Sequence, residues 1–109
     1  MTMQDDRTGE TAVIFVSCRN GNDAADYAQA AAAMDARAAI QPGYRGVDAA
    51  RDTGGVGITI SYWCDDAAAI AWRDDPEHAA IRDRGRAVWY DSYSVSVARI
   101  ARSYDWTRP

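Results

Sequence analysis

Histidine is almost missing from this chain: His78 is the one imidazole in 109 residues. A site needing two or more imidazoles, such as an iron facial triad, therefore cannot be built within it. Two cysteines, Cys18 and Cys64, are too few for a disulfide framework and match no zinc spacing, so they read as buried free thiols. No long apolar run occurs either, the longest being only a strand in length, which excludes a membrane span. The segment 1–10 carries charges where a secretion signal needs apolar residues; it is expected to be disordered, in a soluble cytoplasmic protein. Basic residues are scattered and outnumbered, 12 against 16 acidic ones, so no positive stripe exists for a nucleic-acid backbone. No Gly-rich dinucleotide fingerprint follows the first apolar segment, and no flavin is expected. The remainder, 11–109, is one domain small enough that a second copy would usefully extend its core.

Within that domain the pattern alternates between periods of two and 3.6. Ala12 to Cys18 is rich in β-branched residues and reads as a strand, closed by the turn-forming Arg19-Asn-Gly-Asn-Asp23. From Asp23 to about Ala39 the alanines favour helix, with Tyr27, Ala31, Met34 and Ala38 on one buried face, and Pro42-Gly43 stops it. Tyr44 to Ala50 and Gly57 to Cys64 form two strands around the glycine turn at Asp52–Gly55. Asp65 or Asp66 caps a short helix through Trp72, and Asp75-Pro76 starts another with an N-cap and a proline at its first position. A last strand runs from about Ser92 to Arg102.

The order β-α-β-β-α-β predicts a ferredoxin-like α+β fold with an antiparallel sheet and both helices on one face. Strands one and three are expected to be parallel neighbours at the sheet centre. That would put Cys18 and Cys64 near one sheet end, within reach of thiol exchange if they share a face, and Arg19 at the same end. The face left bare, and the apolar residues on both faces of strand one, predict a homodimer.

On strand three, Thr59, Ser61 and Trp63 share one face, opposite Ile58, Ile60 and Tyr62. A polar face with an aromatic end suits a cavity lined with hydrogen bonds and a flat wall; it equally suits an interior that satisfies its own hydroxyls. On the last helix His78 and Arg82 are one turn apart. An imidazole moves protons near neutral pH, and a guanidinium holds a phenolate, enolate or carboxylate. Both residues equally suit a helix rim, against solvent or against Asp74 and Asp75. Trp89, Tyr90 and Tyr93 read as core or dimer contacts, and Arg19 as a solvated turn charge or, alternatively, a residue at a cavity mouth.

The run from Gly57 through Trp63, Trp72 and Asp75-Pro76 to His78 resembles the antibiotic-biosynthesis monooxygenase superfamily. There a strand ends in Trp before acidic and small residues, a helix carries a second Trp, and an Asp-Pro break precedes the last helix. The resemblance covers Ala12 to about Tyr104 and implies a dimeric α+β barrel. It implies a cofactor-independent monooxygenase acting with O₂ on an electron-rich aromatic or quinol small molecule. Arg82 and His78 would be catalytic; Trp63, Thr59, Ser61 and Trp72 would bind substrate, with Thr59 where the family's pattern has Asn. Arg82 matches the family's spacing of six residues after Pro76. Haem-degrading relatives instead bind iron through a His ten residues after the helix Trp, where this chain has Arg82. A haem-binding or haem-degrading enzyme, with His78 as a shifted ligand, and a non-catalytic small-molecule binder are the alternatives.

Overall fold

A computed structural model of the chain describes residues 6–109. The elements are β1 (Thr11–Arg19), α1 (Ala24–Ala39), β2 (Tyr44–Arg51), β3 (Val56–Trp63), α2 (Asp66–Arg73), α3 (Pro76–Arg84) and β4 (Tyr90–Arg99), with a π-helical turn at Gly85–Trp89 between the last two. They form the ferredoxin-like α+β arrangement expected. The predicted caps are also in place. Asp65 accepts from the Ala68 amide to start α2, and Asp75 accepts from the His78 amide with Pro76 at the first position of α3. Of the segment expected to be disordered, residues 1–5 lie outside the described residues. Residues 6–10 lie against the sheet: the Arg7 guanidinium sits 3.7 Å from the Tyr62 ring centre, and Gly9 and Glu10 exchange backbone bonds with Ile100.

The four strands are ordered β2-β3-β1-β4 and every neighbouring pair is antiparallel. This corrects the expectation for β1 and β3, which are neighbours but run in opposite directions, with Thr11 opposite Trp63 and Cys18 opposite Val56. Between them α1 carries the chain back, β2 returns it and the tight hairpin reverses it once more, so β3 must oppose β1. Cys18 and Cys64 consequently lie at opposite ends of the sheet and cannot exchange. Arg19 stands at the hairpin end, where its amide donates to Gly55, and not beside Cys64.

Register fixes the faces, because directly paired residues point the same way. Thr11, Val13, Phe15 and Ser17 share a face with Thr59, Ser61 and Trp63. The helices cover that face: Trp63 is fully buried and packs with Ala38 of α1 and with Ala69 and Trp72 of α2, while Val13, Met34 and Tyr44 close around them. At Gly43 a Cβ would meet the Ala68 Cβ at 2.6 Å, so only glycine lets α2 sit this close to the start of β2. Cover stops short of β4, where Val95 and Val97 are 52% and 56% exposed on the helix side. Among the described residues no helix covers the opposite face, and Val16, Val56 and Ile58 are exposed on it.

Trp63 and Trp89 are the largest wholly buried side chains among the described residues, and Trp63 stands on the sheet itself, so its removal should leave a cavity that the rigid sheet cannot close. Trp63→Ala is expected to lower stability by about 3–5 kcal/mol, read from chemical denaturation monitored by far-UV circular dichroism.

Candidate functional site

Three rings build the centre of the helix side. Trp72, from α2, lies against Trp63 with ring centres 6.0 Å apart and against His78 at 4.3 Å, the last pair almost parallel at 6°. The position of His78 follows from the N-cap. Asp75 begins α3, and Arg37 of α1 grips the same carboxylate through Nε and Nη2 at 2.8 and 2.9 Å. That pair holds the Asp75 carboxyl down at about 2. One side chain thus ties α1 to the first turn of α3 and sets the imidazole over Trp72.

The imidazole has a defined proton arrangement. Its Nδ1 is 2.9 Å from the Trp72 carbonyl oxygen, which can only accept, so Nδ1 carries the hydrogen and the Nε2 lone pair of the neutral ring has no partner among the described residues. Burial pushes the His78 pKa down and the nearby Arg82 charge adds to this, against the raising effects of the Trp72 carbonyl and Asp75. The result is a neutral imidazole at neutral pH with one basic nitrogen available.

Arg82 lies one turn along α3 and donates through Nη1 to the Arg73 carbonyl at 3.2 Å, at the C-terminal end of α2. Its charge complements the negative end of that helix. Ser61 accepts the Trp63 indole N–H at 2.9 Å, so Ser61 and Trp63 satisfy one another. Thr59 stands apart from them, half-buried between Phe15 and Ala49. The structure therefore joins Ser61, Trp63, Trp72 and His78 in one chain of contacts, with Arg82 one turn along α3 and bonded to the end of α2, while Thr59 lies further along β3. None of these six residues lines the cavity of about 330 Å³ at this end of the sheet, whose walls include Thr11, Cys64, Asp65, Val97 and Arg99. Among the described residues no group of three His, Cys, Asp or Glu side chains could hold a metal ion.

A second aromatic cluster assembles residues that the sequence offered only one by one. Phe15, Tyr27, Trp89, Tyr90 and Tyr93 interlock edge-to-face and tilted, with ring centres 5.2–6.0 Å apart. Tyr90 belongs to it because Gly85 leaves room: a Cβ there would meet the Tyr90 ring at 2.7 Å. Burial, then the bond with Tyr27, raises the Tyr90 phenol well above its ordinary range, so it stays protonated. Trp89, Tyr90 and Tyr93 are contacts within the core of one chain, as the spacing suggested. Their partners come from β1 and α1, far away in sequence, and no local signal marks them.

The family described as "Antibiotic biosynthesis monooxygenase" matches residues 11–84. The uncharacterized protein YqjZ of Bacillus subtilis is 46% identical over 91 residues, spanning 84% of this chain and 79% of that protein. Among solved structures, SnoaB of Streptomyces nogalater, a cofactor-independent oxygenase, superposes with a TM-score of 0.71 at 18% identity, covering 94% of this chain and 99% of that one. A putative antibiotic biosynthesis monooxygenase from Nitrosomonas europaea gives a TM-score of 0.74 at 10% identity, over 84% and 90% of the two chains.

His78 being the one histidine, its titration can be followed without assignment. Its NMR midpoint is expected below about 6.5, the ordinary value. The unfolded chain then binds the proton more readily, so the stabilisation from the neutral ring is complete above about pH 6.5 and is lost as pH falls through the folded midpoint. Denaturation midpoints at pH 7.5 and 5.5 should differ, and His78→Gln should shrink that difference.

Proposed function

The chain belongs to the antibiotic biosynthesis monooxygenase family, and from that premise we propose that it is a cofactor-independent monooxygenase of electron-rich aromatic or quinol small molecules. The observation that carries the reading is the His78 tautomer: a neutral imidazole backed by Trp72, with its Nε2 lone pair unpartnered among the described residues and a guanidinium one turn away. Such a ring takes a proton from a substrate hydroxyl, and the Arg82 charge stabilises the anion left behind. The anion supplies the electrons to O₂. In an anthrone the methylene carbon becomes a carbonyl, one oxygen atom entering the ring and the other leaving as water with the two hydrogens.

In this reading Trp72 and Trp63 form the aromatic backing, Ser61 holds Trp63, and Thr59 offers a hydroxyl further along the strand. The apolar strip of β4 adds a surface for a flat ring, since Val97 stands opposite Val13, which packs against the two tryptophans. The fold that SnoaB shares with this chain at low identity is compatible with oxygenation needing no cofactor. We place the protein in the cytoplasm; no helix among the described residues is long and apolar enough to cross a membrane. It works as a homodimer whose two bare sheet faces pack together, which would cover Val16, Val56 and Ile58.

Oxygen-electrode assays with anthrones and hydroquinones test the activity. Arg82→Ala is expected to raise the barrier by about 2–4 kcal/mol with little change in unfolding midpoint, and Arg82→Lys to restore part of the rate. His78→Ala should slow turnover most at a pH where the substrate is still protonated, with partial rescue as pH rises. Oxygen uptake that neither substitution alters would defeat these roles. A saturable Soret band on adding haem would move the assignment to haem chemistry.

The dimer is checked by sedimentation velocity. Wild-type protein should sediment as a dimer at micromolar concentration, and Ile58→Asp, which places a charge on the bare face, should give monomer.

A further inference from the structure

Two guanidinium groups meet at the hairpin end of the sheet, and neither has a carboxylate partner among the described residues. Arg19 lies 3.8 Å over the Tyr27 ring, and its Nε and Nη2 are both buried with nothing to donate to. Arg51 reaches the same place from β2. Its Nη2 donates to Ser17 Oγ at 3.0 Å and to the Tyr27 hydroxyl at 3.1 Å, and its Nη1 to the Gly55 carbonyl. Gly57 makes this possible, because a Cβ there would sit 2.5 Å from the Arg51 Cζ. A cavity of about 310 Å³ opens here, lined by Arg19, Arg51 and the turns at 20–21 and 52–55. Its one carboxylate, Asp52, is engaged by the Val56 amide at 3.0 Å.

Burying a guanidinium edge without an acceptor is unfavourable, and a fold tolerates it where something else supplies the acceptor. The shape of that acceptor can be read from the chain itself. Nε and Nη2 form the same edge with which Arg37 grips the Asp75 carboxylate, two parallel bonds to two oxygens. In Arg19 that fork is intact, shielded from water and empty-handed.

We propose that the Arg19–Arg51 cleft is an oxyanion-binding site, in which Arg19 turns its closed fork into the cleft and onto the carboxylate or phosphate group of a small molecule. Arg51 supplies the second positive charge, and Tyr27 holds the two cations apart by stacking under one and accepting from the other. The site is separate from the His78 region: Gly57 and Trp63 lie six residues apart on β3, about 20 Å along the strand. It therefore stands or falls independently of the oxygenase reading.

The Nε–H signals of the arginines in a ¹⁵N-labelled sample report on the fork directly, with Arg19→Gln identifying the relevant peak. Titration with benzoate in one arm and inorganic phosphate in the other is expected to shift the Arg19 signal saturably and raise the Tm in at least one arm. Saturation by benzoate alone assigns a carboxylate, and by phosphate alone a phosphate. Arg51→Met should weaken the binding at least about tenfold. Gly57→Ala keeps both charges but displaces the Arg51 guanidinium, and should weaken it too; Arg45→Met should not. An Arg19 signal unmoved by either anion overturns the proposal. So does a shift that Arg51→Met and Gly57→Ala leave unchanged, since that would be nonspecific charge screening.

Discussion

The stacking of Trp72 between Trp63 and His78 is the contact on which the helix side of this protein depends. Trp63 ends β3 and is closed to solvent, so whatever packs on it is held by the most rigid part of the sheet. Trp72 brings α2 onto that platform, and its carbonyl receives the Nδ1 hydrogen of His78. The same residue therefore supplies a packing surface on its ring and a proton-directing group on its backbone. Asp75 completes the arrangement by capping α3 and binding Arg37, so that α1, α2 and α3 all bear on the placement of one imidazole.

The antiparallel course of β1 and β3 then divides the molecule into two ends with different chemistry. At the Trp63 end stand a neutral histidine and a guanidinium bound to a helix C-terminus. At the hairpin end stand two arginines among tyrosines, with hydroxyl and carbonyl acceptors but no carboxylate pairing among the described residues. Aromatic rings serve both ends, by backing an imidazole in one and carrying a cation in the other. The helices leave β4 partly bare on their own side and do not reach the opposite face, where among the described residues only 6–10 lie over part of the sheet, and the two exposures differ in kind. The first is a strip beside the tryptophans; the second is a sheet face with exposed Val16, Val56 and Ile58, of the sort that copies of a chain bury together.

Much of this was legible in the residues. Alternation and alanine content marked the strands and α1, Asp65 and Asp75 marked the helix starts, and Pro76 confirmed the second of them, because capping and propensity act within a few residues. The helical spacing of His78 and Arg82, and the strand spacing of Thr59, Ser61 and Trp63, followed from geometry with no need of a fold.

What only the tertiary structure decided was which groups face one another. The direction of β3 relative to β1 sent Cys18 and Arg19 to one end and Cys64 to the other, since strand direction is set by how connections cross the sheet and not by strand composition. Whether Ser61 would meet a ligand or the Trp63 indole, and whether Arg82 would meet solvent or the Arg73 carbonyl, depended on side chains brought from other elements. Arg19 shows the difference most clearly: in sequence it is a turn charge, yet its fork is buried against Tyr27 because α1 folds back over β1. Periodicity and capping are short-range and can be read along a chain, whereas desolvation and pairing of a charge are properties of a neighbourhood that exists only once the chain has folded.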